Sequence, residues 1–169
     1  MIIDVSGILK ETGGRVLVDD NVSFADMDFM GESFHFTKPL SVKGSVYNNG
    51  KSLRLEAEAV GEMQVHCARC MAPVIVDLKF GIEESFMREE EGVIDDGEDV
   101  ILFSGNKIEM DDIIADSFFM SVSGKYLCSE DCKGLCPTCG KNLNEGECNC
   151  EDDDIDPRWE ALRKIMDKT

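Results

Sequence analysis

Residues 39–82 read PLSVKGSVYNNGKSLRLEAEAVGEMQVHCARCMAPVIVDLKFGI, and their alternation decides the fold. Leu53, Leu55, Ala57, Ala59, Gly61, Met63, Val65 and Cys67 share one parity. Arg54, Glu56, Glu58, Glu62, Gln64 and His66 share the other, with Val60 the one apolar exception. A period of two this long belongs to a strand with one face buried and one in water. Upstream, Leu40, Val42 and Val46 alternate with Ser41, Lys43, Ser45 and Tyr47, and Asn48-Asn49-Gly50 tolerates the positive φ of a hairpin turn. Beyond Cys67–Pro73, Val74, Val76, Leu78, Phe80 and Ile82 alternate again. The spacing predicts a three-stranded antiparallel meander.

Outward from the meander the signals weaken. On the N-terminal side, Ile3–Lys10 reads as a short helix stopped at Gly13-Gly14, Arg15–Val18 as a strand, and Phe34 and Phe36 as one face of another. On the C-terminal side, residues 88–99 are a breaker holding Glu89-Glu90-Glu91-Gly92 and Asp95-Asp96-Gly97-Glu98-Asp99. Such a run is a solvated loop or an acidic docking strip for a basic protein. Val100–Phe103 reads as a short strand. Glu109–Ser121 has helical spacing, with Met110, Ile113, Ile114, Phe118 and Ser121 on one stripe and Asp111 and Asp112 in the first turn. After Glu151–Asp154, Asp156 is a candidate N-cap and Pro157 a good first helical residue. Trp159, Leu162, Ile165 and Met166 then form a stripe that packs on its own domain or docks on a partner.

The fold class expected is α+β: an antiparallel meander packed with one or two helices, a C-terminal cysteine-rich zinc-binding segment and a short terminal helix. The domains expected are an α+β sheet domain over 1–125 with the acidic loop at 88–99, a cysteine-rich segment over 126–150, and an acidic linker with the short helix over 151–169.

Composition narrows the function. The 169 residues are 43% apolar, enough for a core, and no run approaches the roughly 20 apolar residues that cross a bilayer. The start, Met1-Ile2-Ile3-Asp4, has no basic lead-in and no long apolar run, so a cytoplasmic protein with no membrane role is expected. Seventeen Lys and Arg against 35 Asp and Glu give a net charge of −18, which repels nucleic acid at long range and attracts basic partners.

Eight cysteines stand at 67, 70, 128, 132, 136, 139, 148 and 150, six of them between 128 and 150. In a reducing compartment such crowding points to metal. Cys136-Pro137-Thr138-Cys139-Gly140 has the form of a zinc knuckle: two intervening residues let both sulfurs reach one ion, and the glycine permits a turn whose N–H groups face the sulfurs. Cys148 and Cys150 can complete a tetrahedral four-thiolate set. Cys67 and Cys70 form a second CxxC at a strand connection, and Cys128 and Cys132 a further pair. The simplest partition puts Cys67, Cys70, Cys128 and Cys132 on one zinc and Cys136, Cys139, Cys148 and Cys150 on another. A single site joining Cys67 and Cys70 to Cys136 and Cys139 is also open, so one or two ions are expected.

His66 projects away from Cys67 if the strand period holds, and neither it nor His35 is a metal candidate. Arg69, Lys125, Lys133 and Lys141 form a basic island at the metal or merely offset thiolate charge. A redox CxxC belongs at the start of a helix, not on a hairpin. Four-cysteine sets are closed, and no HExxH, GxSxG or phosphate loop appears, so no catalytic residue and no small-molecule substrate are expected.

Cys67-Ala68-Arg69-Cys70, the string Leu127–Asn144 containing CKGLCPTCGKNLN, Cys148-Asn149-Cys150 and Asp156-Pro157-Arg158 together resemble the YceD-like family of bacteria and plastids. The resemblance runs over about residues 1–165 in element order as well as motif. It implies a role in accumulation of large-subunit ribosomal RNA, hence ribosome biogenesis, and carries over all eight cysteines. The expected function is a non-enzymatic assembly factor that meets a basic ribosomal protein, large-subunit ribosomal RNA, or both. The alternative is a thiol redox or zinc-transfer protein using the CxxC pairs.

Overall fold

The computed structural model describes residues 1–29, 31–89 and 99–150. Most of the acidic loop and the whole linker and terminal helix expected over 151–169 lie outside those residues.

The meander is present and is longer than its pattern suggested. Strands β5 (Leu40–Asn48), β6 (Leu53–His66) and β7 (Pro73–Arg88) pair antiparallel in sequence. The alternation translates directly into burial: Leu53, Leu55, Ala59, Met63, Val65 and Cys67 lie inside, whereas Val60 is exposed. The β5–β6 turn closes on Asn49, whose side-chain oxygen accepts from the N–H groups of Lys51 and Ser52, with Gly50 at φ +91°. Every residue of β6 pairs with β7, from Leu53↔Phe86 to His66↔Pro73.

The opposite edge of β6 is shared. β5 pairs with its first half, and β4 (Glu32–Phe36) continues the ladder at His35↔Gln64 and Phe36↔Met63. Residues 37–39 interrupt the two. Pro39 has no N–H to donate, and the kink is held instead by Thr37, whose N–H and hydroxyl both bond Glu62, and by the Lys38–Glu62 ion pair at 2.9 Å. β2 (Arg15–Val22) flanks β5, β3 (Met27–Phe29) forms a hairpin with β4, and β8 (Ile101–Phe103) flanks β7. These seven strands make one sheet, antiparallel except at β7–β8, where the chain returns parallel.

Two expectations need correction. Ile3–Lys10 is not a helix. Ile2–Asp4 is strand β1, paired with β9 (Lys107–Glu109) in a separate ribbon, and turns follow to Gly13. Ile3, Val5 and Ile8 are buried, which meets the need for a core face without a helical hydrogen-bond ladder. Ser121 is not on the buried stripe of α1 (Asp111–Ser121): it is exposed, and its hydroxyl donates to Phe118 O.

The core lies between the inner face of the sheet on one side and α1, the β1–β9 ribbon and the N-terminal turns on the other. Phe118 is its hub, with ring centroids 5.4 Å from Phe34, 5.1 Å from Phe36 and 6.1 Å from Phe80. The outer sheet face carries exposed ion pairs such as Lys79–Glu58 and Lys43–Asp19. No described helix is long and apolar enough to cross a membrane. The β6–β7 connection, Cys67–Ala72, emerges at one end of the sheet and begins the cysteine site.

Candidate metal centre

All eight cysteines are free thiols, and their sulfurs gather into two groups of four: Cys67, Cys70, Cys128 and Cys132, and Cys136, Cys139, Cys148 and Cys150. Within each group every sulfur lies within 4.8 Å of the others. The simplest partition of the sequence is the one that forms, and the single mixed site does not. Cys67 and Cys132 are 3.8 Å apart and Cys70 and Cys128 3.6 Å. Four sulfurs at about 2.3 Å from a tetrahedral ion would stand about 3.8 Å from one another, so the spacing in the first group fits one such ion, and the sulfurs of the second group lie within the same 4.8 Å limit.

The two CxxC turns are built alike. Cys67 N–H donates to Ala72 O, and Met71 N–H donates back to Cys67 O, at 2.8 and 2.9 Å. Cys136 N–H donates to Lys141 O and Gly140 N–H to Cys136 O, both at 2.8 Å. In each turn the residue after the second cysteine has positive φ: Gly140 at +73°, and Met71 at +59°. Glycine occupies that conformation freely, whereas a methionine there is strained.

This backbone path aims N–H groups at sulfur. The Cys128 N–H, followed by those of Arg69 and Cys70, lowers the Cys67 thiol to about 6. The Cys139 and Thr138 N–H groups lower Cys136 to about 6. At Cys132 the Asn144 side-chain amide is the leading cause of a downward shift. The others rise. Cys128 is pushed up to about 12 by its contacts with the Cys132 and Cys70 sulfurs, and Cys150 to about 12 chiefly by the Cys139 sulfur. At Cys70 the Ala72 N–H pulls downward, but burial and the Cys67 sulfur outweigh it and the thiol is raised. Neighbouring sulfurs cannot all ionise beside one another unless a cation is shared among them. The donor set therefore suits a soft divalent ion.

The first group is anchored in the sheet domain. Cys67, Cys70 and Cys132 are buried against Ala72 and Val74, and Ala68 N–H bonds Tyr126 O. The second group is peripheral: Cys136 is buried, Cys139 exposed, and Cys148 and Cys150 half-buried. No apolar side chain between 128 and 150 is buried other than the cysteines Cys132 and Cys136.

The basic residues brace the loops. Arg69 Nη1 donates to Glu130 O at 3.1 Å and Cys132 O at 2.8 Å, and Lys141 Nζ donates to Glu147 O at 2.6 Å. His66 and His35 lie in neither sulfur group. His35 Nδ1 meets Asp26 at 2.6 Å, and His66 N–H donates to Glu32. Reading the sequence alone missed Met71, whose strain has no composition signal, and Asn144, whose signal was its place in the Asn142-Leu143-Asn144 string.

Comparison with known proteins agrees with the motifs. A family model described as large ribosomal RNA subunit accumulation protein YceD matches residues 55–166, a span that takes in most of β6, all of β7 and all eight cysteines. An uncharacterized protein of Mycobacterium tuberculosis is 28% identical over 156 residues, covering 91% of this chain and 68% of its own length, and one of Mycobacterium bovis matches equally. The uncharacterized protein YlbN of Bacillus subtilis is 24% identical over 149 residues, covering 88% of this chain and 86% of its own. No solved structure matches. With two thirds of its length under one family model, the chain belongs to the YceD family.

Proposed function

We propose that this protein is a non-enzymatic ribosome biogenesis factor that supports accumulation of large-subunit ribosomal RNA, with one structural Zn²⁺ held by each four-cysteine group. The observation that carries the reading is the family match across the span that contains both sulfur groups. The metal part rests on a physical need. Residues 128–150 bury no apolar side chain apart from Cys132 and Cys136, so they have too little hydrophobic surface to order themselves, and thiolate–zinc bonds supply what a core otherwise would.

Charge then selects the partner. Each four-thiolate zinc site carries −2, so two sites take the chain from −18 to about −22. Such a chain, working in the cytoplasm, holds a basic ribosomal protein more readily than it approaches RNA phosphates unaided. The thiol redox alternative is less favoured because neither CxxC is a pair apart: each shares its site with two further sulfurs. Cells lacking the protein should show a lower ratio of large- to small-subunit ribosomal RNA, restored by the intact gene. An unchanged ratio would contradict the proposed function.

A further inference from the structure

The two sulfur groups are joined by a three-residue link, Lys133-Gly134-Leu135, between Cys132 of the first and Cys136 of the second. That link is held from both sides. Leu135 N–H donates to Arg69 O in the first CxxC turn at 3.0 Å, and Leu135 forms a bridge with Asn142. Gly134 O accepts from Leu143 N–H at 2.9 Å. Lys133 N–H donates to the side-chain oxygen of Asn144 at 2.8 Å.

Asn144 does more than cap the link. It lies on the loop between Cys139 and Cys148, whose two ends both belong to the second sulfur group, yet its Nδ2 reaches Cys132 Sγ of the first group at 3.3 Å. Asn142 Oδ1 fixes the amide by accepting from Asn144 N–H at 3.1 Å and from Asn144 Nδ2 at 2.8 Å. Asn142 is held in turn by Glu145, whose carboxylate accepts from Asn142 Nδ2 at 3.1 Å.

We propose that the two centres bind metal cooperatively and that Asn144 is the positioning residue that couples them: an ion in the second group closes the loop that presents the Asn144 amide to the Cys132 sulfur of the first. This inference rests on the metal reading proposed above. An amide donating to a thiolate stabilises its charge and fixes the direction in which it faces the ion, and such outer partners carry about ten- to a hundred-fold in metal affinity. Coupling of binding free energies is reciprocal, so an ion in the first group favours the second by the same factor.

The test uses the full chain titrated with zinc against a chelator of known affinity. Protection of Cys67 and Cys132 from alkylation, read by mass spectrometry of their peptides, reports the first centre alone. Disabling the second centre with Cys148→Ser and Cys150→Ser should raise the free zinc needed for that protection about ten- to a hundred-fold. Asn144→Ala, which keeps all eight sulfurs, should give a similar loss, and adding the two serine substitutions to it should cost little more. Asn144→Asp, which keeps the acceptor for Lys133 but loses the donor to sulfur, should behave like alanine or worse. Protection at the same free zinc in the serine variant and in Asn144→Ala as in the native chain would overturn the inference while leaving two independent zinc sites. A chain that takes up no zinc at either group would overturn both it and the reading beneath it.

Discussion

Met71 and Gly140 occupy equivalent positions in two turns with the same hydrogen bonds, and only one of them suits its backbone. Met71→Gly should therefore stabilise the zinc-loaded protein by about 0.5–1 kcal/mol, and Gly140→Ala should destabilise it by about 1–2 kcal/mol. Thermal denaturation at saturating zinc checks both; a loss of stability in Met71→Gly would mean that the side chain, 60% exposed, packs better than its surroundings indicate. Glu84 is a second residue at odds with its place. It shares the inward parity of Leu78, Phe80, Ile82 and Phe86 on β7, and its carboxyl is raised above the usual range by burial, then by Asp116 and Asp99. A raised carboxyl binds its proton more tightly folded than unfolded, so stability falls as pH rises from the ordinary value through the folded one. Glu84→Gln should thus raise Tm at neutral pH, by an amount that shrinks as the pH is lowered through that window. An equal Tm difference at pH 4 and pH 7 would count against this. Neither residue declares itself in sequence: Glu84 lies beyond Ile82, where the legible alternation stops although β7 runs on to Arg88, and positive φ at a methionine has no sequence signature.

At the scale of elements, how well a segment could be read follows how local its partners are. The β5–β6–β7 meander was legible because each strand pairs with its sequence neighbour and buries one face, so that alternation and turn chemistry agree. Helix α1 was legible from the spacing of Ile113, Ile114 and Phe118. β1 was not, because its partner β9 lies about a hundred residues away and three residues carry too little pattern to distinguish a strand from a helical turn. The parallel return of β8 and the collinear β4–β5 pair along one edge of β6 are likewise non-local. The packing predicts that α1 is held chiefly by Phe118, 1% exposed at the meeting of β4, β7 and the helix. Phe118→Ala should cost about 3–5 kcal/mol in urea denaturation, whereas Met120→Ala, at a side chain 90% exposed on the same helix, should stay within about 0.5 kcal/mol. Equal losses would place the helix otherwise than described.

For the molecule as a whole, two ordering principles meet at the β6–β7 turn. On one side a sheet and a helix bury a continuous apolar core. On the other, residues 128–150 have sulfur in place of a core, gathered in two sets whose geometry suits tetrahedral ions. The cysteine spacing made the eight ligands legible. The grouping was open until the fold brought the Cys67–Cys70 turn beside Cys128 and Cys132, a contact across some sixty residues. The most direct measurement of this account is the metal content of the chain purified without oxygen, by native mass spectrometry with thiol counting. Two zinc ions per chain are predicted, with all eight cysteines reduced and with chelation releasing both ions and exposing the backbone amides of residues 128–150 to exchange while β5–β7 stay protected. A chain free of metal, or one whose Cys67 and Cys70 are joined in a disulfide, would contradict it.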